Sequence, residues 1–343
     1  MSLERSQIGL LLAKAEVTYG TDPTPTAAAN VIALRRNAVK FDEKFTRLDR
    51  NILDGTLSRI GGLNVLPELS LSFDVEIRGN RTDGTASDIS AGSIAHLIEL
   101  DPLLQACDLA AAYTAESTGG ARDGKVIYTP YTPTDQGKSV TFYFYTGLRL
   151  HKIVGAKGTV KGTMVAGQIA TLSFNFSGIL ATAATPITDA AIPGSITWLN
   201  TVPPLFTSAG SKISNSGAGF SPVFQKLDFD LANKITRRDD VNSANGIAGF
   251  IITDKTPKLI IDPEGVAEAS HPIWGDLYSA TARTITAALG TQAGNKMSAS
   301  FTGVSQAVAY GDRSGIRTQQ INYNIERALL SDTPGNEFQL QFS

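Results

Sequence analysis

The sequence predicts a mainly β protein: a β-rich α+β chain with two tandem β-sandwich or partial-barrel units, each carrying a flanking helix. Three observations lead to this prediction. Short runs in which apolar and polar residues alternate outnumber runs with helical periodicity. Apolar residues make up 42% and charged residues 18% of the chain, and Ala, Gly, Thr and Ser fill the difference. One construction also occurs twice along the 343 residues, which is enough chain for two cores.

The repeat is defined by two constant offsets between the halves of the chain. Segment 41–75 recurs as 229–262 with an offset of 188 (229 − 41), and its Phe-Asp start, arginines, glycine and alternating strand return in the same order. Segment 169–176 recurs as 316–323 with an offset of 147 (316 − 169). The first copy therefore carries 41 more residues in its middle (188 − 147). Such duplication is typical of a protein that fills symmetric positions in an assembly, with chance similarity as the alternative.

The chain begins with an N-terminal arm, residues 1–30, and a first unit, residues 31–185. Residues 1–19 are predicted to form a short helix that ends at the Gly/Pro-rich stretch 20–26. This boundary separates the arm from the strands of the unit.

Inside the first unit, a long β-hairpin region precedes a helix and a set of late strands. The charged, glycine-marked stretch 47–62 predicts either a hairpin arm or an exposed loop. Residues 69–77 alternate strictly and form the clearest half-buried strand. Helical segments follow over 93–100 and 101–111, the second opened by an Asp-Pro pair. Late strands are expected over 126–131, 139–145, 149–154, 156–165 and 168–178, and insertions over 79–92 and 113–138.

A Pro/Gly/Ser-rich linker, residues 186–222, leads into the second unit, residues 223–343. This unit repeats the order of a helix, over 270–278, followed by late strands. Those strands are expected over 282–288, 296–304, 305–310 and 315–326. The tail, residues 337–343, alternates again, and a terminal strand of this kind either closes its own sheet or adds to a neighbour's edge.

Composition and motifs exclude several function classes. The formal net charge of −2 provides no basic face for a nucleic-acid grip. The single cysteine, Cys107, rules out an intrachain disulfide framework and a CxxC metal site, and the three histidines lack a second ligand at metal spacing. GxSxG, P-loop, HExxH and strand-linked GxGxxG motifs are absent from the sequence. We therefore predict that the protein is not an enzyme and uses no cofactor or metal.

The chain shows no targeting or membrane signal. The apolar part of its N-terminus is too short for a signal sequence, and no stretch reaches the roughly 18 apolar residues of a membrane span. The protein is expected to be made and used as a soluble cytosolic product.

The candidate functional residues are contact residues between copies of the chain. Charged residues cluster on the corresponding loops of both units, where they form either a solvated loop or ion pairs between subunits, and the terminal strand adds apolar residues. The predicted contact set is Arg47, Arg50, Arg237, Arg238, Asp239, Phe338, Leu340 and Phe342. Segment 142–145, where Phe and Tyr alternate, is either a stacking platform for single-stranded nucleic acid or, as we favour, a strand buried at a subunit contact.

The run LLAKAEVTYGTDP, residues 11–23, resembles the N-terminal segment of one branch of the major tail tube proteins of long-tailed, non-contractile bacteriophages. The β-rich, Ala/Gly/Thr-heavy composition agrees along most of the chain. The resemblance implies a small β-sandwich with a flanking helix, a long loop and terminal arms. It also implies that copies close into rings and that rings stack into a hollow tube. Most members supply one unit to a sixfold ring, so a chain with two units would form a homotrimer, a pseudo-hexamer.

The function implied by the resemblance is that of a structural protein of the virion tail, assembled in the cytoplasm of the bacterial host. DNA would pass an acidic lumen without specific binding. The implied partners are further copies of the chain, a tail terminator, baseplate or tip proteins, and the tape measure protein that fills the lumen before ejection, with no membrane partner. The alternatives are a minor tail or capsid-associated ring protein (terminator, hub or decoration), a carbohydrate-binding adhesin with an exposed tryptophan platform, and an enzyme with a convergent site.

Overall fold

The computed structural model is mainly β, which confirms the predicted fold class. It describes residues 8–36, 38–79, 99–114, 124–131, 137–181, 187–207, 212–215, 218–243, 246–292, 294–327, 329, 332–333 and 335–343. The strands among these residues are β1 (Leu10–Ala15), β2 (Val31–Ile32), β3 (Lys40–Leu48), β4 (Leu63–Glu76), β5 (Leu109–Thr114), β6 (Lys125–Pro130), β7 (Val140–Tyr145), β8 (Arg149–Val165), β9 (Thr171–Leu180), β10 (Ile187–Asp189), β11 (Lys212–Asn215), β12 (Ala218–Phe220), β13 (Phe224–Asp230), β14 (Asn233–Asp239), β15 (Ile247–Lys255), β16 (Lys258–Pro263), β17 (Ala282–Leu289), β18 (Met297–Arg313), β19 (Ile316–Ile325) and β20 (Phe338–Phe342). The helices are α1 (Asp101–Ala106) and α2 (Ile273–Ser279).

Two groups of seven strands follow the same spatial order. The first half-sheet runs β2-β1-β7-β8-β9-β4-β3. The second half-sheet runs β12-β11-β17-β18-β19-β16-β13. Each of these neighbours is antiparallel, and the described strands of one chain do not close into a barrel. Helix α1 follows β4 and α2 follows β16, so each half-sheet carries its helix at the same point in the chain.

The register of pairing follows the two sequence offsets. In β3–β4 and β13–β16 the paired residues differ by 188 on both strands, and in β4–β9 and β16–β19 they differ by 188 on one strand and 147 on the other. The pairs so related are Phe41–Leu71 with Phe229–Leu259, and Leu71–Phe176 with Leu259–Tyr323. A slip of one residue would turn each strand's apolar face to solvent. Because the register is the same in both half-sheets, corresponding residues also face the same side of the sheet.

One large hydrophobic core runs under both half-sheets, and a smaller cluster lies around β1 and β7. In the first, Phe73 packs against Phe174 and Phe176, with ring centroids 5.6 and 6.0 Å apart. In the second, Phe229 packs against Phe301 with centroids 5.3 Å apart. Burying a ring of this size contributes about 1.5–3 kcal/mol. These clusters therefore hold β4 against β9 in the first half and β13 against β18 in the second.

The N-terminal segment differs from its prediction. Instead of a helix over 1–19, the described part contains β1, a strand between β2 and β7. Leu10, Leu11, Leu12 and Ala13 are all buried, so both faces of this run are covered. A short run that is apolar on both faces fits an inner strand, and periodicity alone does not separate it from a helix.

The helix prediction over 101–111 was too long. Helix α1 has Leu100 at its N-cap and ends at Ala106, and β5 begins at Leu109. Asp101 lies inside the first turn, where Gln105 and Tyr128 donate hydrogen bonds to its carboxylate at 2.8 and 2.6 Å.

Other predicted bounds change less. The strands predicted over 149–154 and 156–165 are one strand, β8, and those over 296–304 and 305–310 are one strand, β18. Residues 93–98 of the predicted helix over 93–100 and much of the two insertions lie outside the described residues, and residues 99–100 form a turn.

Candidate functional site

The two half-sheets meet where β13 pairs with the last third of β8. Residues 226–230 lie antiparallel to residues 161–165. Phe229 lies over Gly162, and a Cβ at that glycine would overlap the phenyl ring. The absence of a side chain at Gly162 therefore lets the aromatic ring of one half-sheet cover a strand of the other.

A hairpin of the second half docks on the first half-sheet beside this junction. We call β14, β15 and the loop between them the second arm. At its base, the Asn233 side chain donates hydrogen bonds to Cys107 O and Gly158 O at 2.7 and 2.9 Å. Along β15, Ile247 and Phe250 are only 3% and 4% exposed. The arm is thus held by apolar burial and by a buried amide that satisfies two carbonyl groups.

Tyr19 ties the second arm to β8. Its hydroxyl donates to Gly155 O at 2.9 Å and accepts from the backbone N–H of Phe250 at 2.7 Å. Gly155 and Gly249 flank the ring with φ of +61° and +139°, and a Cβ at either would overlap it. Burial raises the pKa of the Tyr19 hydroxyl, which therefore stays protonated and able to donate.

Glu16 holds the segment that carries Tyr19. Its buried carboxylate accepts four hydrogen bonds, from Gly20 N (2.7 Å), Ser139 Oγ (2.5 Å), Thr141 Oγ1 (2.6 Å) and Gly155 N (2.7 Å). A buried carboxylate is stable only when such bonds replace its hydration. The cluster links the chain after β1 to β7 and β8 and so fixes the position of the tyrosine.

In the part of the chain that the structure describes, the corresponding hairpin of the first half has no such cover. We call the outer ends of β3 and β4 and the loop between them the first arm. Leu53 and Leu57 at its tip are fully exposed, at 100% and 105%. The other exposed apolar side chains of the first arm are Phe45, Leu48, Ile52 and Leu63. Several exposed apolar side chains on one hairpin are typical of an interaction site.

Two strand edges also lack a partner among the described residues. β3 pairs only with β4, so its other edge is open. In β18, residues 297–304 pair with β17, but 305–313 have a partner strand only on the β19 side. The described strands β2, β5, β10 and β12 also have one partner each. Open edges pair readily with other strands, so β3 and the outer part of β18 offer one long pairing edge in each half.

The predicted charged contacts of the first loop lie on the first arm. Arg47 Nε donates to Asp49 Oδ1 at 3.1 Å in an exposed pair, and Arg50 is exposed. Pairs this exposed contribute little to the stability of a single chain, with a median of about 0–1 kcal/mol. Both arginines are accessible to a second copy.

The charged contacts of the second loop lie on the second arm. Arg237 donates to Asp239 at 2.8 Å and lies 3.8 Å from Glu68 on β4. Arg238 is exposed. Part of this cluster therefore joins the second arm to the first half-sheet inside one chain.

The tail residues of the predicted set lie in the core of their own chain. Phe338, Leu340 and Phe342 are buried on β20, which pairs with β18 and β6. Of the two alternatives for a terminal strand, the described chain shows closure of its own sheet, so these residues are left out of the contacts proposed below. Segment 142–145 likewise lies inside the chain, since β7 is covered by β1 and β8.

Sequence reasoning missed the residues that hold the second arm. Glu16, Tyr19 and Asn233 belong to no motif of known chemistry. The hydrogen-bond partners of Tyr19 and Asn233 are backbone atoms more than 70 residues away in the sequence. The run 11–23, which carries the family resemblance, contains Glu16 and Tyr19 and is the sequence feature that could have pointed to them.

The described residues offer little for metal or cofactor chemistry. They contain no group of three His, Cys, Asp or Glu side chains that could hold a metal ion. Cys107 is a buried free thiol whose pKa is raised by burial, so it is a poor nucleophile. In the same part of the chain, no helix has the length and apolarity needed to cross a bilayer.

Comparison with known proteins assigns the chain. The family model described as phage tail tube protein matches residues 6–325, which covers both half-sheets, both arms and the segment with Glu16 and Tyr19. Comparison with curated proteins found no match. Because the family model spans nearly the whole chain, this protein belongs to the phage tail tube protein family.

Proposed function

We propose that this protein is the structural subunit of a hollow phage tail tube through which DNA passes into the host. Each chain supplies two tube units, residues 31–185 and 223–343. The arm (1–30) adds β1 to the first half-sheet, and the linker (186–222) adds β11 and β12 to the second. Three chains then make one ring of six units, and rings stack into the tube. The protein acts without catalysis or a cofactor, as part of the virion tail that forms in the host cytoplasm.

The repeated half-sheet is the observation that carries this proposal. Two groups of seven strands with one order and one register lie side by side and are joined through β8 and β13. A ring of six similar units needs only three such chains. The open edges of β3 and of residues 305–313 in β18 supply the contacts by which the ring closes, and closure pairs both of them.

DNA passage in this proposal is passive. The chain has a formal net charge of −2 and therefore no general attraction for a polyanion. A lumen that repels phosphate lets DNA slide without binding. The proposed partners are the tape measure protein in the lumen before ejection, and the terminator and baseplate or tip proteins at the tube ends.

Negative-stain electron microscopy of the concentrated protein, alone and with lysate of phage-producing cells, tests the proposal. We expect hollow tubes, or rings whose averages show six similar lobes. Monomers under every condition would contradict it. Discrete rings that never stack would instead favour a minor ring component such as a terminator or hub.

A further inference from the structure

We propose that the contact between neighbouring chains repeats the junction inside one chain. The open edge of β18 pairs with the open edge of β3 in the next copy, and the first arm of that copy docks on the second half-sheet as the second arm docks on the first. This inference rests on the ring assembly proposed above and adds its residues and register.

The first step is the match between the used and unused edges. Residues 161–165 of β8 pair with β13, the strand that begins the second half. The corresponding stretch of β18 is open on the same side, opposite β19, and residues 309–312 are exposed. β3 is the counterpart of β13 under the offset of 188, and its outer edge is open as well. The chain therefore offers both halves of a second junction, and the two edges are not paired with each other among the described residues.

The internal junction fixes the register. Val160 lies opposite Phe174, and Val308 lies opposite Ile321, the counterpart of Phe174. Residues of β18 beyond its bulge are thus 148 higher than their counterparts in β8 (308 − 160). The internal pair of Asp228 with Thr163 then becomes Lys40 with Gly311, since 228 − 188 is 40 and 163 + 148 is 311. The neighbouring pairs are Phe41 with Tyr310 and Asp42 with Ala309.

The chemistry at this register suits pairing. The counterpart of Gly162 is Tyr310, so the ring of Phe41 cannot lie over this strand as Phe229 does and instead lies beside the Tyr310 ring. An aromatic pair directly across neighbouring strands contributes roughly 0.2–1 kcal/mol. Tyr310 is half exposed in the single chain, with Trp274 at 5.5 Å on one side of its ring. No like charges face each other in the three pairs, so no direct repulsion opposes the contact.

The arms give the second, independent reason. The second arm buries Ile247 and Phe250 against the half-sheet of the other unit, whereas the first arm leaves its leucines in water. On the half-sheet that would receive the first arm, Tyr278 of α2 is 86% exposed, four residues after Trp274, whose ring contacts the half-exposed Tyr310. The apolar hairpin lies in the first half of the chain and the exposed aromatic surface in the second half. Two copies of the chain can therefore pack the hairpin of one against the aromatic surface of the other.

Disulfide trapping tests the register. In a Cys107→Ala background, Lys40→Cys with Gly311→Cys should give covalent dimers and closed trimers on a non-reducing gel after mild oxidation of assembled protein. Lys40→Cys with Ala309→Cys is the matched control, two residues out of register and beyond the Cα separation of about 4.4–6.8 Å that a disulfide spans. Asp228→Cys with Thr163→Cys, the internal counterpart, should form a disulfide within one chain, so its band stays at the mass of a single chain on the gel.

The outcomes separate this inference from the proposed function. Rings or tubes seen by microscopy, with the Lys40–Gly311 pair unlinked while the internal pair is linked, would overturn the inference and leave the function standing. Preferential linkage of the Lys40–Ala309 pair would overturn the register. Failure to form rings or tubes at all would overturn both.

A charge substitution tests the docking of the arm. Phe45 is the counterpart of Asn233 (233 − 188), which is buried at the base of the docked second arm, and it is half exposed in the single chain. Phe45→Asp should therefore change the melting temperature of the single chain little and lower ring yield roughly tenfold. Val202→Asp, at another exposed apolar site, serves as the control and should assemble normally. Normal assembly of Phe45→Asp would remove the arm from the proposed contact.

Discussion

At the scale of single residues, the account depends on a few buried polar groups that join distant parts of the chain. Glu16, Tyr19 and Asn233 satisfy backbone atoms of strands far away in sequence, and each leaves an unpaired partner if removed. Leaving a buried donor or acceptor unpaired costs about 1–3 kcal/mol, more than the net gain from an ordinary hydrogen bond. These residues therefore control whether the second arm stays docked.

Tyr19→Phe should lower the free energy of unfolding by about 1–3 kcal/mol, because the Phe250 N–H and Gly155 O each lose their partner while the ring remains. Denaturant titration followed by circular dichroism measures this difference. Tyr278→Phe is the matched control, since that side chain is 86% exposed and its hydroxyl is already in water. Equal stability of the two variants would show that the Tyr19 hydroxyl does not hold the arm.

His271 should make the protein less stable in mild acid. Its imidazole is buried against Phe220, with ring centroids 4.6 Å apart, and burial lowers its pKa, although Asp276 opposes this effect. The unfolded chain therefore binds a proton more readily, so stability from this group is complete above the unfolded pKa of about 6.5 and falls as pH drops below it. Urea unfolding at pH 7.5 and 5.5 measures the loss.

His271→Phe keeps the aromatic contact and removes the titrating group. The loss of stability between pH 7.5 and 5.5 should therefore be smaller in this variant than in the wild type. An identical loss in both proteins would assign the acid sensitivity to other residues.

At the scale of elements, the two arms share a register but differ in cover. Strands were predictable where apolar residues alternate, as in β4, β9 and β17. Their pairing was not predicted, because alternation does not show which strands are neighbours. The run of β1 was not predictable, because residues buried on both faces have no period to read. The docking of the second arm was also out of reach, because it depends on contacts such as Tyr19 with Phe250, 231 residues apart.

Gly249→Ala should loosen the second arm. The glycine has a φ of +139°, which an alanine adopts only with strain, and the added methyl would overlap the Tyr19 ring. We expect faster amide hydrogen exchange across residues 247–255 and a lower melting temperature. Gly194→Ala, where an added Cβ meets nothing within 4 Å, is the control. Unchanged exchange in Gly249→Ala would contradict the close fit at Tyr19.

At the scale of the whole molecule, residues related by the offsets of 188 and 147 occupy equivalent positions in the pairing of the two half-sheets. The offsets of 188 and 147 were visible because core positions such as Phe41 and Phe229 keep their type. The predicted contact residues differ in their exposure to solvent. Arg47 and Arg50 lie on the exposed first arm, whereas the tail phenylalanines lie inside the core. Alternation identifies a half-buried strand without telling whose sheet covers it, so the terminal strand was open to two interpretations.

The most direct test of the ring of three two-unit chains is the native mass and rotational symmetry of an isolated ring. The account predicts three chains, three times 36.3 kDa, in an average with six similar lobes and threefold symmetry. A ring of six whole chains, with twelve units or with only one unit of each chain in the wall, would contradict it.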